Sequence, residues 1–410
     1  EITDKLIQMG AKVHTDDRVD RIPSVCKNKA NTTVVFTPAM PQDSPQLEFF
    51  KANGFDLMKR SEVLGELSKD FYCLAVGGTH GKTTTSSILA HLLRECGKKI
   101  TAFLGGISSN FGSNFISEGK DYMVVEADEF DRSFLTLHPD LLCITSIDSD
   151  HLDIYKNFEN LETSFQSFAD LVSSPNHRWV REGLDVSGIS FGTSKQAEVW
   201  VEHVRVENGH YVFDFHNRNQ TIKNLQICLP GEHNLMNAIV AIAMALSVGC
   251  DPKSISTALQ NFRGVDRRFS VRIEKPTVVI DDYAHHPTEI NQMANAVEQF
   301  YPFAKRIAVF QPHLFSRTRD FCEGFAKSLS HFDHTILLDI YPARELPIPG
   351  VSSQSIREMM SGSAEIVSKA QLPERVADSG ADVVVVMGAG DIADHVQPIV
   401  EHLKRTYYVG

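Results

Sequence analysis

The chain has 410 residues, 42% of them hydrophobic and 22% charged, and a formal net charge of −12. Its length exceeds what one hydrophobic core supports, so roughly two to four domains are expected, and the acidic balance argues against binding a polyanion, which needs a clustered basic face. The longest apolar run, AIVAIAMAL at 238–246, is far shorter than the roughly 20 residues of a membrane span, and seven dispersed cysteines without a CxxC pair fit reduced thiols in a cytoplasm.

These limits leave a cytoplasmic protein without membrane insertion, whose partners are small molecules and not nucleic acid. The first stretch, EITDKLIQMGAKVHTDD, reads as a helix leading to the following strand; it opens in mid-element on Glu1, so preceding residues are expected. Strands then alternate with helical stretches: TTVVFTP (32–38), FYCLAVGG (71–78), DYMVVEAD (121–128) and DLLCITSID (140–148). PTVVIDDY (276–283), RIAVFQP (306–312), HTILLDIY (334–341) and DVVVVMG (382–388) continue the series. Apolar, β-branched runs separated by amphipathic segments predict parallel sheets covered by helices on both faces. Between them, 196–228 alternates around an ENG turn and predicts a small antiparallel insertion. Breaks near 62–70 and 265–270 divide the chain into three α/β domains, at 1–68, 69–266 and 267–410.

The stretch LAVGGTHGKTTTSSILAHLL (74–93) reads as strand, glycine-rich turn and helix. The usual phosphate loop is G-x-x-x-x-G-K-[ST]; here its first position is Val76, so the turn is a shorter variant. Its logic survives, because small residues turn backbone N–H groups toward phosphates and the helix N-terminus adds positive potential. Lys82 would reach the β/γ-phosphates of ATP, and Thr83 would offer its hydroxyl to Mg²⁺. Such a site needs an acid at a neighbouring strand end. Glu126 supplies it, with Asp128, Glu129 and Asp131 behind, and Asp150 and His151 follow at the next strand end.

GGTHGKTTT, VVEADEFDRSF, DSDHLDIY, LPGEHNLMNAIVA, GVDRRF and VIDDYAHHPTEI occur in one order. Together they resemble the Mur ligase family of ATP-dependent amide-forming enzymes, whose own short loop accounts for Val76. The resemblance spans essentially the whole chain. It implies a Rossmann-like N-terminal domain, incomplete at its UDP-gripping start, a central P-loop ATPase-like domain and a Rossmann-like C-terminal domain. It implies ATP and Mg²⁺ as cofactors. VFQPHLFSRTRDF and DIYPARELPIPGVSS resemble the branch that joins L-alanine to UDP-N-acetylmuramate through an acyl phosphate in peptidoglycan synthesis, acting as a monomer or weak homodimer. A branch that recycles a tripeptide, and a nucleotide-binding chain without catalysis, are the alternatives.

Residue by residue, the resemblance implies that Gly78, Thr79, His80, Gly81, Lys82, Thr83 and Thr84 hold phosphates. Thr83, Glu126 and His151 would serve the metal, and His233, Asn234 and Asn237 the adenine end. Lys82, His151, Arg268 and Asp282 would be catalytic, the last two linking the third domain to the nucleotide. Spacing to Phe269 favours Arg268 over Arg267. Tyr283, His285, His313 and Arg317 would meet the amino-acid substrate, with Arg319 a further donor, and Leu314 stands where many relatives carry arginine. His285 and His286, adjacent in sequence, do not read as a zinc site. Gly388 and Gly390 lack the third glycine of a dinucleotide fingerprint, so VVVVMGAGDI predicts a turn at the sheet edge and no nicotinamide cofactor.

Overall fold

A computed structural model describes residues 2–409 apart from 38, 39, 42, 149–154, 156, 208 and 344. The chain opens with the helix Ile2–Gln8, and the next strand is Thr33–Phe36, paired in parallel with Asp56–Lys59. Between helix and strand lie only short 3₁₀ turns.

The largest sheet has seven strands in the order Ser113–Ser117, Ile100–Ser108, Tyr122–Glu126, Tyr72–Gly77, Leu141–Ile144, Arg178–Arg181, Ile189–Phe191. Its pairs are parallel except the outermost, Ser113–Ser117 against Ile100–Ser108. Side chains alternate across a strand, so Leu74 and Val76 feed one apolar cluster while Cys73 and Ala75 feed another. The first cluster takes in the helices Lys82–Glu95 and Glu232–Ser247, the latter carrying the AIVAIAMAL run; the second takes in Phe158–Ala169. Burial on both faces is why the strands read as continuous apolar runs rather than alternating ones. The insertion forms an antiparallel sheet of Trp200–Glu207, His210–His216 and Thr221–Ile227.

The C-terminal sheet has six strands, ordered Ser270–Ile273, Val278–Asp282, Val383–Met387, Arg306–Phe310, His334–Leu337, Ala364–Ile366, with only the first pair antiparallel. The same alternation divides it: Ile280, Ala308 and Val385 face one cluster, and Val279, Ile307 and Val384 the other. Core membership changes hands between Val265 and Phe269. The glycines after Val383–Met387 form a turn at the carboxyl edge of a central strand, where the Gly388 N–H donates to the Asp282 carbonyl at 3.3 Å. All seven cysteines are free thiols, and among the described residues no helix is long and apolar enough to cross a membrane.

Helix Arg60–Ser68 docks on the segment after Glu129 through backbone contact. A Cβ on Gly65 would lie 2.2 Å from the Thr136 carbonyl oxygen, while the Thr136 hydroxyl donates to the Ser61 carbonyl at 2.9 Å and the His138 N–H to the Ser68 hydroxyl at 3.0 Å. In an unobstructed helix, Gly→Ala stabilises by about 1 kcal/mol. Here Gly65→Ala is expected to destabilise by roughly 1–3 kcal/mol through overpacking. Urea denaturation gives the sign, and a more stable variant would contradict this docking.

Candidate active site

Strand Tyr72–Gly77 lies between Tyr122–Glu126 and Leu141–Ile144, which brings three carboxyl ends to one place. The glycine turn is pressed against the third of them. Gly78 has φ 137° and Gly81 φ 83°, conformations that L side chains rarely adopt. A Cβ at Gly78 would lie 2.0 Å from Thr145 Oγ1, and one at Gly81 2.4 Å from Asn237 Oδ1. The Thr79 N–H donates to the Ser146 carbonyl at 3.0 Å and the His80 N–H to Ser146 Oγ at 2.9 Å. The Thr145 hydroxyl donates to the His80 carbonyl at 2.5 Å. Helix Lys82–Glu95 then starts at Gly81, leaving its first-turn amides without intrahelical acceptors; Thr84 is buried in that turn.

Lys82 Nζ donates to the Gly78 carbonyl at 2.6 Å and pairs with Glu129, 2.7 Å from Oε2. Burial opposes the ammonium charge, but Glu129, Glu126 and Asp128 outweigh it and hold Lys82 above its usual range. Burial pushes the Glu129 carboxyl up against the pull of Lys82. Glu129 thus keeps the lysine charged at the turn, and Asp131 instead faces outward to Lys59 at 3.1 Å.

Thr83 Oγ1 donates to Glu126 Oε1 at 3.0 Å, and the Gly105 N–H donates to Glu126 Oε2 at 2.7 Å. Mg²⁺ prefers hard oxygen ligands, and a hydroxyl and a carboxylate side by side are donors of that kind. Asp150 and His151 lie outside the described residues. Among the described residues no group of three or more His, Cys, Asp or Glu side chains is placed to hold a metal.

Asn234 and Asn237, three apart on the helix Glu232–Ser247, are both buried. Asn237 Nδ2 donates to Asn234 Oδ1 at 3.4 Å, Asn234 Nδ2 donates to the Pro230 carbonyl at 2.6 Å, and Asn237 sits directly beneath Gly81. His233 lines the same crevice, which continues to Arg268 and Asp282 of the C-terminal part. Arg268 lies over the Tyr283 ring at 5.3 Å. Arg267 Nε reaches Asp281 Oδ1 at 3.3 Å, and its Nη2 donates to the Gly388 carbonyl, so it holds its own sheet together. Both oxygens of Asp282 accept backbone N–H groups, from Phe269 at 2.7 Å and Ala284 at 2.8 Å.

A wider cleft of about 810 Å³ adjoins this crevice, lined by Arg60, Lys82, Glu126, Arg268, Tyr283 and His285 among others. All three parts of the chain contribute to it, and the volume suits a ligand of some size. His285 Nδ1 lies 2.9 Å from the Tyr283 carbonyl, and its ring centroid is 6.3 Å from that of His313. His313 stacks on Tyr341 at 5.7 Å; burial, then the charge of neighbouring Arg317, holds its imidazole below the usual range. Arg319 does not join them: it is exposed and pairs with Asp320 at 2.7 Å. Leu314 holds φ 68° at this corner. Glu289, which sequence reasoning passed over, lines both crevice and cleft; its only signal was an acid in a first helical turn, ordinary at a helix start.

Two buried groups carry opposite pH signatures. Burial pushes Asp282 from 3.8 up to about 6, against the pull of Arg268. Burial, then Arg268, pushes His233 from 6.5 down to about 4. Between about pH 4 and 6 the folded chain therefore holds an extra proton on Asp282 and lacks one on His233. Stability falls with rising pH through the first and rises through the second, by roughly 3 kcal/mol each. Asp282→Asn is expected to unmask the His233 contribution, so denaturant midpoints climb more steeply from pH 4 to 6.5 than in the parent. Parallel profiles would contradict the assignment.

Comparison with known proteins agrees with this architecture along the chain. Residues 1–72 match the model described as Mur ligase family, catalytic domain; 76–245 match Mur ligase middle domain; and 267–390 match Mur ligase, glutamate ligase domain. The UDP-N-acetylmuramate–L-alanine ligase of Christiangramia forsetii is 50% identical over 98% of this chain and 90% of its own length. That of Phocaeicola vulgatus is 42% identical over 99% and 91%. Among solved structures, the UDP-N-acetylmuramate-alanine ligase of Thermotoga maritima aligns with TM-score 0.80 and 25% identity, covering 98% of this chain and 91% of that one. The fold is also that of MurF ligase from Thermotoga maritima in complex with ADP, at TM-score 0.67 and 16% identity over 92% and 96%. With its mixed α/β, three-domain architecture and with relatives this similar over nearly its whole length, the chain belongs to the Mur ligase family.

Proposed function

We propose that the chain joins L-alanine to the lactyl carboxylate of UDP-N-acetylmuramate with hydrolysis of ATP, a ligation that serves peptidoglycan synthesis in the cytoplasm. The observation behind this reading is the single cleft in which the glycine turn, Lys82, the Thr83–Glu126 pair and the Arg268–His285 wall meet. The names of the relatives supply the substrates.

The chemistry must bring a carboxylate to a triphosphate, two anions that repel. The amides of the turn and the Lys82 ammonium would hold the phosphates, the lysine kept charged by Glu129. Thr83 and Glu126 would hold Mg²⁺, whose charge offsets that repulsion. Carboxylate attack on the γ-phosphorus releases ADP and leaves an acyl phosphate; the alanine amine then displaces phosphate to form the amide. His285 is the proposed acceptor of the amine proton, since a proton on Nδ1 shared with the Tyr283 carbonyl leaves the lone pair on Nε2. His313 and Arg317 would meet the alanine carboxylate. An acyl phosphate hydrolyses in water, which gives closure of the C-terminal sheet over the turn its purpose.

The test is phosphate release with UDP-N-acetylmuramate and L-alanine, glycine, L-serine or the tripeptide. Release is expected with L-alanine, and a preference for tripeptide would replace this reading with the recycling one. Lys82→Met alone removes the ammonium that faces the buried Glu129 carboxylate, at a cost of roughly 3–5 kcal/mol, so the informative variant is Lys82→Met with Glu129→Gln. It is expected to fold with near-parental stability and release no phosphate. Retained turnover would remove Lys82 from its role.

A further inference from the structure

Glu289 does more than begin a helix. It stands in the first turn of Pro287–Phe300, whose N-cap is His286. An acid at that position normally turns one oxygen back to a backbone N–H near the cap. Glu289 does so with Oε2, which accepts the His285 N–H at 2.9 Å and lies 3.3 Å from His285 Nδ1. Its second oxygen turns toward the central sheet. Oε1 lies 3.4 Å from Nδ1 of His80, in the middle of the glycine turn, and 3.9 Å from Nη1 of Arg268.

One carboxylate, 14% exposed, therefore touches the turn on the central sheet, the arginine that follows the change of core and the loop that presents His285. His80 is held from its far side as well: Nε2 lies 3.5 Å from Asp148 Oδ2, beyond the neighbouring strand end. The backbone of His80 is fixed by Ser146 and Thr145. The turn is thus held on its own sheet, and His80 is the point of it that Glu289 meets. A buried carboxylate normally resists ionisation, yet His285, His80 and Arg268 overcome burial and hold this one well below the carboxylate range. A helix cap alone does not require that charge.

We infer that Glu289 is a positioning residue that seats the C-terminal sheet on the glycine turn, gripping His80 with one oxygen and the His285 loop with the other. What it positions in the reaction rests on the proposed function: it would bring the amine-side groups to the phosphate-side turn only when the two sheets are docked. Its neutral isostere leaves Arg268 and two imidazoles facing one another without the intervening anion, so docking weakens while Lys82, Thr83 and the turn amides are untouched.

The test is a double-mutant cycle of Glu289→Gln and His80→Asn, read by kcat for phosphate release and by calorimetric Kd for ATP, with small-angle scattering before ATP addition. Each single variant is expected to lose roughly 10- to 100-fold in kcat, the scale of a small misplacement of reacting groups. The ATP Kd of Glu289→Gln should stay within about threefold of the parent, since its phosphate contacts remain. The double variant should lose less than the product of the two single losses, because the singles share the Glu289–His80 contact. Before ATP addition Glu289→Gln should have the larger radius of gyration, because the contact that docks the parent's sheets is weakened. Additive losses, or equal radii of parent and Glu289→Gln before ATP, would overturn the assignment. If the parent itself releases no alanine-dependent phosphate, the functional reading fails, and the scattering comparison still decides the role of Glu289.

Discussion

The site depends on the close approach of a glycine turn to two walls that leave no room for a Cβ. Thr145 closes on Gly78 and Asn237 closes on Gly81, so the turn is clamped between a neighbouring strand end and a buried helix. With its backbone fixed there, the helix behind it starts at one defined place, and Lys82 and Thr83 point to one defined side. Lys82 then stays charged because the almost wholly buried Glu129, with Glu126 and Asp128 nearby, outweighs the cost of burying its ammonium. Thr83 meets Glu126 because the Gly105 amide holds the other carboxylate oxygen. A side chain at Gly105 would collide with that carboxylate, a third place where a missing Cβ shapes the site.

The second organising fact is that two parallel sheets present their carboxyl edges to a common crevice. Ligands of such sheets bind beyond the strand ends, and here two sets of strand ends share the space. The segment 264–269 forms the seam: the Asp266 N–H donates to the Ile107 carbonyl at 2.8 Å, while the Phe269 N–H binds Asp282. Asp282 thus holds the seam in shape, Arg268 reaches into the crevice from it, and Glu289 closes the far side on His80. Catalysis of the proposed kind needs such an arrangement, in which one sheet carries phosphate and the other carries the amine.

Much of this was legible in the sequence, and the reasons for what was not are specific. Seven of the eight apolar runs became strands buried on both faces, where burial forces continuous hydrophobicity, a signal that survives without tertiary knowledge; Thr33–Phe36 is exposed or half-buried along its length. Ile100–Ser108 escaped notice because Gly105 and Gly106 read against a strand interior, although Gly105 is needed beside Glu126. Arg178–Arg181 and Ile189–Phe191 are too short to announce themselves. Thr83 and Glu126 could be paired from strand-end logic alone, whereas Glu129 as partner of Lys82 could not, since Asp128, Glu129 and Asp131 look alike until the backbone decides which turns inward. Arg317 and Arg319, two apart on a helix, point to different sides, and only the fold says which side faces His313. Glu289 was hidden for the same reason: its partner His80 comes from a distant part of the chain.

In the proposed reaction one cleft activates a sugar-borne carboxylate by phosphorylation before an amine attacks. Turnover of UDP-N-acetylmuramate carrying ¹⁸O in its lactyl carboxylate tests this directly, with the released inorganic phosphate analysed by mass. Activation by phosphorylation puts one labelled oxygen in each phosphate, carried over when the acyl phosphate breaks. Phosphate without label would show that the carboxylate never attacks phosphorus and would contradict the acyl phosphate.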